Sequence, residues 1–376
     1  MVNKKLHIVA FNIPFPADYG GVIDVFYKLK NLSEQGIEIT LHTFEYGRKQ
    51  SEELEYYCKK VFYYSRRIGW RSQLSFTPYI IYSRRNADLL KNLQEDQAPI
   101  LFEGLHTCYY LAHPALKNRM KWVRTHNIEH IYYRGLAANS DSICNKIYFR
   151  IEAFRLQYFE QKLRHADLLL CLSKTEKIYF ERLFGKEKTI FLPLFFQSEE
   201  KTNEIIATKP YVLYHGDLSS PENTNAALFL MRNLAPLDTT VQWIIAGKNP
   251  NNILLQETQK HPNINLCADL NAEEMKQLIS NAGVNLLYTN QVSGVKLKLL
   301  NALHWGGHCI ANRAMLAGSG LEEICEIMPE DLNEIIRSIQ YCFSHPFSEE
   351  KRKLREEKMN QIYNNQSNAQ VLIAQL

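Results

Sequence analysis

At 376 residues the chain is too long for one compact core, so two domains are expected. Hydrophobic residues make up 45% and charged residues 22%, which excludes a mostly disordered chain, and a formal net charge of +4 is too small to imply nucleic acid by itself. The longest apolar runs, such as Leu168–Leu172, fall far short of the roughly 18 residues a membrane span needs, and no leader-like h-region opens the sequence, so a cytoplasmic protein is expected. The eight cysteines contain no C-x-x-C unit; several, Cys171, Cys267 and Cys309, lie in apolar strand-like runs and read as small buried hydrophobes, and no disulfides are expected.

In chain order, short apolar runs alternate with helix-period segments, the pattern of a parallel sheet wrapped by helices. Leu6–Phe11 reads as a strand, Val22–Gln35 as a helix stopped by Gly36, and Ile37–Phe44 as the next strand. Pro99–Phe102, Lys121–Thr125, Asp167–Leu172 and Thr189–Leu192 follow as strands, with a long helix over Lys146–His165. Gln197–Lys209 is polar, ends at Pro210 and reads as a linker. A second alternating set then begins, with strands at Tyr211–Tyr214, Val241–Ala246, Ile264–Cys267, Val284–Tyr288 and His308–Ala311. Ser348–Leu376 reads as one charged terminal helix with Ser348 as its cap. The expected architecture is two doubly wound α/β domains: 1–196, 210–345, and a terminal helix over 346–376 that returns to brace the first domain.

Ligands of such sheets bind outside the carboxyl ends of the strands, so the residues that follow each strand carry the functional reading. They are the loop 12–21, His126-Asn127, His215-Gly216-Asp217, Gly247-Lys248-Asn249 and the stretch 289–298. Ser293-Gly294-Val295 ahead of an apolar-periodic helix leaves free backbone N–H groups at a helix start, an anion site, and Lys296 and Lys298 add the charge a diphosphate needs. A Ser-Gly cap with two solvated lysines accounts for the same residues without a ligand. Gly20-Gly21 before a helix permits close approach of a ligand, or simply a tight turn after Pro16. Glu103, at the end of a strand, is positioned to touch a ligand at that edge or to be solvated.

Four stretches together resemble the retaining glycosyltransferases of the GT-B fold, of the large family four type, and most closely those of bacterial polysaccharide loci. They are Pro14-Phe15-Pro16-Ala17-Asp18-Tyr19-Gly20-Gly21 with its following helix, Ala166-Asp167 through Ser173, His215-Gly216-Asp217-Leu218 with Pro221-Glu222-Asn223, and Gly294 through Gly307. The resemblance implies two Rossmann-like domains facing across a cleft, the first for the acceptor and the second for a UDP- or GDP-linked sugar. It implies that Gly294 and Val295 amides with Lys296, Lys298 and Lys248 meet the diphosphate, with Gly216 beside them. Asn301 would meet the ribose, and Ala268–Leu270, including Asp269, the base. His126 would face the donor sugar, and Gly20, Gly21 and Glu103 would line the acceptor side. The family usually carries two glutamates eight residues apart around the donor helix, where this chain has Ser293 and Asn301.

His126-Asn127-Ile128-Glu129-His130 also matches the inverted zinc-protease motif, and a zinc hydrolase built on His126 and His130 is one alternative function. The other is a non-catalytic nucleotide- or glycan-binding module of the same fold. Tyr56–Ala87 holds seven basic residues, nine aromatics and no acid, a composition suited to an anionic membrane surface. No nicotinamide-binding G-x-G-x-x-G, P-loop or G-x-S-x-G elbow occurs, and no two aspartates stand at i, i+2, so the reaction is expected to need no metal and no cofactor beyond the nucleotide sugar. The expectation is a cytoplasmic hexosyltransferase, peripheral at the inner membrane, that acts on a lipid-linked or cell-surface glycan.

Overall fold

A computed structural model of the chain describes residues 4–140, 142–197, 210–291 and 294–376, apart from the side chain of Arg71. It divides into two compact units, Met1–Gln197 with Tyr363–Leu376, and Ser198–Ile362.

In the first unit seven strands form one parallel sheet: β1 (Lys5–Ala10), β2 (Glu38–Glu45), β3 (Lys60–Ser65), β4 (Ile100–Glu103), β5 (Lys121–Thr125), β6 (Leu168–Cys171) and β7 (Thr189–Phe191), in the order β3-β2-β1-β4-β5-β6-β7. Its helices are α1 (Gly20–Glu34), the short α2 (Trp70–Gln73), α3 (Tyr79–Tyr82) and α4 (Ala87–Leu93), then α5 (Glu129–Asn139), α6 (Ile143–Glu160) and α7 (Lys174–Phe184). The strands read as continuous apolar runs because both faces are covered. Alternate residues feed two cores: Val9, Phe102, Val123 and Leu169 enter one, and Ile8, Leu101, Trp122 and Leu170 the other.

The second unit repeats the plan with six parallel strands, β8 (Tyr211–His215), β9 (Gln242–Gly247), β10 (Ile264–Ala268), β11 (Val284–Leu287), β12 (His308–Ala311) and β13 (Glu326–Ile327), ordered β10-β9-β8-β11-β12-β13. Helices α8 (Pro221–Asn233), α9 (Asn252–Thr258), α10 (Ala272–Asn281), α11 (Leu297–Trp305), α12 (Arg313–Leu316), α13 (Leu332–Ser344) and α14 (Glu349–Ile362) surround it, and α15 (Asn365–Ile373) belongs to the first unit. In both sheets the strand order reverses beside the first strand of the unit, β1 or β8, which opens a crevice at the carboxyl edge.

Two strands were not read from the pattern, and one expectation needs correction. The basic, aromatic stretch 56–87 contains an edge strand, β3, whose Tyr64 is buried, so part of its ring content is core. A two-residue strand, β13, was not legible in the pattern. The terminal segment is two helices and not one: Asn364 caps α15 through its side chain, which accepts from the Ser367 amide at 2.9 Å. Only α15 packs on the first unit, its Ala369 and Leu372 sharing a core with Leu29 and Leu32 of α1. Helix α14 stays with the second unit, where the buried Arg355 donates to the carbonyls of Gly306 (3.1 Å) and Gly307 (2.6 Å). The linker read over 197–209 lies, beyond Gln197, outside the described residues.

Candidate functional site

In the second unit the strand ends are tied side by side. A Cβ on Gly247 would stand 1.7 Å from the Gly216 carbonyl oxygen, so only glycine lets the loops after β8 and β9 approach this closely. The Asp269 amide donates to the Gly247 carbonyl (3.0 Å), and the Asp269 carboxylate accepts from the Asn249 amide (2.8 Å). Both Asn249 (φ 49°) and Asp269 (φ 53°) occupy the left-handed region, where a short polar side chain that bonds locally is tolerated. Gly216, Lys248, Asp269 and the half-buried Leu270 therefore occupy one edge, with the Lys248 side chain exposed.

Helix α11 begins at this edge. Gly294 turns the chain in the left-handed region (φ 73°), Val295 follows, and Lys296 is the N-cap, its ammonium donating to the Gly294 carbonyl at 2.7 Å. Among the described residues no side chain caps the helix; the Leu299 amide already donates to the Lys296 carbonyl (3.0 Å), and the Leu297 and Lys298 amides are left for another partner. Lys298 points inward: its ammonium donates to the Asn223 side-chain oxygen (2.6 Å) and the Tyr214 hydroxyl (3.2 Å), and lies 4.9 Å from the centre of the Tyr214 ring. Burial pushes the Lys298 ammonium down to about 8, against the pull of Glu222 and with a further push from Lys296. Glu222 accepts a hydrogen bond from Thr289. Burial, helped by the Lys298 charge, takes His215 down to about 3, so its imidazole is neutral, and its buried Nε2 has no hydrogen-bond partner among the described residues. Asn301, half-buried, stands one turn beyond Lys298 on the same helix. Ser293 lies outside the described residues.

In the first unit, His126 follows β5 and sits between a ring and a carboxylate. The Phe11 ring meets it edge-on at 5.5 Å, and its Nε2 lies 3.2 Å from Glu103 Oε2. Glu103 is not open at the sheet edge as anticipated: it is fully buried, and its other oxygen accepts from Lys28 at 2.8 Å. Lys28 also donates to Asp24 (2.9 Å), which accepts from Arg124 at 3.0 Å through both Nε and Nη2 and from the Phe195 amide at 2.9 Å. Two buried anions thus face two buried cations. Burial alone would raise both carboxyls, but Arg124 and Lys28 pull Asp24 down, and Lys28 with the His126 hydrogen bond pulls Glu103 down. An ionised Glu103 only accepts, so the His126 proton in this contact is on Nε2, and Nδ1 is left for a ligand. The Phe11 ring fills the space over Gly21, where a Cβ would stand 2.6 Å from it, while nothing lies within 4 Å of the same position on Gly20. Of that glycine pair, Gly20 is the one open to a ligand.

The zinc arrangement does not form. His126 turns to Glu103, whereas His130 turns to Glu160 (3.4 Å) and packs on the Tyr179 ring, so the two imidazoles share no centre. Asp24, Glu103 and His126 present ligand-type atoms within 4.8 Å of one another, but Lys28 and Arg124 already neutralise those carboxylates. In the sequence, Tyr214 and the network Asp24, Lys28 and Arg124 carried no role, and His215, Glu222, Asn223 and Thr289 were marked only as members of strand-end stretches. The signal for the network was present as an Asp and a Lys four apart in an amphipathic helix and an Arg inside a buried strand.

No family model matches the chain. An uncharacterized 44.6 kDa protein in the cps region of Klebsiella pneumoniae is 27% identical over 323 residues, 80% of each chain. Among solved structures, TarM of S. aureus in complex with fondaparinux, alpha-GlcNAc-glycerol and UDP aligns over 99% of both chains with a TM-score of 0.70 and 11% identity. The lipopolysaccharide outer core galactosyltransferase WaaB aligns over 99% of this chain and 100% of its own, with a TM-score of 0.61 and 13% identity. The two parallel-sheet units of this chain have the GT-B fold of these proteins.

Proposed function

We propose that the protein is a hexosyltransferase that moves a sugar from a nucleotide diphosphate to a lipid-linked or cell-surface glycan. The observation that carries the reading is Lys298: a half-buried ammonium at the start of α11, held by Asn223 and by Tyr214 of β8. A cation and free amides in that position suit a diphosphate, whose charge grows as the glycosidic bond breaks. The UDP in the TarM complex and the cps-region relative support a nucleotide sugar and a polysaccharide acceptor.

In this reading Gly294 and Val295 amides with Lys296 and Lys298 bind the diphosphate, Asn301 the ribose, and Asp269 with Leu270 border the base. Lys248 and Gly216 complete that edge. His126, oriented by Glu103 through Nε2, offers Nδ1 to a sugar hydroxyl, and Gly20 borders the acceptor. The anomeric C–O bond to the diphosphate breaks and a bond from the acceptor oxygen to the same carbon forms. The acceptor's hydroxyl proton passes to the departing diphosphate, and the configuration is retained, as the family resemblance implies. Protein cations serve the diphosphate, so the reaction needs no metal. The enzyme works in the cytoplasm, with 56–87 against the inner membrane.

Calorimetric titration with UDP and GDP, in EDTA and again with magnesium, tests this directly. Micromolar binding of one nucleotide in EDTA is the expected result. Binding only with magnesium refutes metal independence, and silence toward both refutes the donor site. Binding without turnover of any nucleotide sugar assigns the chain to the non-catalytic module.

A further inference from the structure

Helix α6 carries its apolar residues on the wrong side for a core. Leu156 and Phe159 pack inward, as does Ala153, yet Ile143, Ile147, Ile151, Phe154 and Tyr158 are exposed, Ile143 at 74%, Phe154 at 63% and Tyr158 at 64%. At about 100° per residue these five fall within about 80° of arc, one continuous row along the helix. A second exposed apolar segment joins it: Ile68, Trp70, Leu74 and Phe76. The join is physical. Phe76 and Tyr158 stack edge-to-face at 5.1 Å, Arg155 donates to the Gln73 carbonyl at 3.0 Å, and the Tyr79 amide donates to Glu152 at 2.7 Å.

Among the described residues of α6 and the 68–76 segment, exposed charge has one sign. Both carboxylates of α6 are buried and engaged, Glu152 by Arg155 and the Tyr79 amide, Glu160 by Tyr179 and His130. Lys146 and Arg150 flank the exposed row on one side and Arg155 on the other, so the exposed part of the helix carries cations and no acid. An apolar row bordered by basic residues, with a Trp and a Tyr at its margin, matches the interface of an anionic bilayer. A second copy of the chain seated on the same face would bring Arg150 and Lys146 against their own equivalents. No helix among the described residues is long and apolar enough to cross a membrane, so the contact lies in the plane of the interface.

We infer that α6, together with the 68–76 segment, is a membrane-seating surface that lies in the headgroup region of an anionic bilayer. This deepens the membrane contact proposed for 56–87 and moves its centre to α6, outside that stretch.

The test is flotation of the full chain with vesicles of DOPC alone and of equal parts DOPC and DOPG. The probes are wild type, the triple variant Ile147→Ser/Ile151→Ser/Phe154→Ser, and Arg150→Glu, each checked for folding by circular dichroism. Wild type should float with DOPG vesicles, the triple variant at least about tenfold less. Arg150→Glu should weaken binding to DOPG vesicles only. Equal flotation of wild type and triple variant overturns the inference, as does a wild type that ignores DOPG. So does a wild-type dimer in sedimentation velocity that the triple variant converts to monomer, which would give the surface to a second copy. UDP titration of the same proteins reads the other unit: UDP binding without flotation sinks the membrane inference alone, and flotation without nucleotide binding sinks the donor site alone.

Discussion

Replacing Lys298 with Met removes the inward-pointing ammonium at the start of α11 while keeping the length and apolar stem of the side chain. A charge-assisted hydrogen bond to a phosphate contributes about 1.5–3 kcal/mol, so the variant should bind UDP about 10- to 150-fold more weakly. The pH dependence gives a second, sharper readout. Burial holds the free Lys298 near 8, and a bound diphosphate favours the charged form. Above pH 8 the free protein must take up a proton to bind, so wild-type affinity should fall by up to about tenfold per pH unit. Lys298→Met should lack that slope. Stability moves the other way: the folded pKa lies below the unfolded one, so the unfolded chain binds more protons between the two values. Wild-type stability therefore gains from this group as pH rises from about 8 toward about 10.4. Calorimetric titrations at four pH values on each side of 8, with thermal melts of both proteins, supply all three quantities. Equal affinities, or the same slope in both proteins, would refute the assignment of Lys298 to the diphosphate.

Glu103→Gln leaves Lys28 and Arg124 facing Asp24 alone, and urea unfolding should show a loss of about 3–5 kcal/mol. Adding Lys28→Met should restore much of it, and a double variant no more stable than the single would sink the charge-balance account. Burial, with Glu176 and Glu160 adding to it, raises the Glu129 carboxyl to about 8, so its stabilisation is complete below about 4.3 and is lost as pH rises through 8. Glu129→Gln should therefore flatten the fall in melting temperature between pH 5 and 8, and an unchanged profile would show that another group sets it. Arg355→Ala removes two hydrogen bonds to the carbonyls of Gly306 and Gly307, a change of about 1–3 kcal/mol that hydrogen exchange should report as faster opening of α14. Uniform exchange in α14 of both proteins counts against that anchor.

What was legible in advance follows from the period of the pattern. In a parallel sheet covered on both faces the strands stand out as short apolar runs, which is why the span Lys121–Thr125 coincides with β5 and most others agree to within a residue or two. Strand ends then locate the carboxyl edge, so Gly216, Lys248, Gly294 and Lys298 could be named from the sequence, while Asp269 came only with the family resemblance. Their partners could not. Tyr214 and Asn223 reach Lys298 from 84 and 75 residues away, and no local rule pairs them.

The same limit explains the errors. Glu103 follows an apolar strand and reads as solvent-facing, but Lys28 of α1 meets it inside the fold and makes its burial tolerable. The terminal helix looked continuous because its period hardly changes, whereas packing assigns Arg355 to Gly306 and Gly307 and Leu372 to the core under α1. The exposed row on α6 is an ordinary amphipathic pattern in one dimension, and only the tertiary structure shows that its opposite side faces the core. Sequence by itself determined the two parallel-sheet units and the edges where ligands belong, because backbone periodicity and strand-end chemistry are local. Tertiary structure decided which charges neutralise one another, which histidine is oriented by a carboxylate, and which apolar face stays uncovered, because each depends on residues distant in the chain meeting where water is excluded.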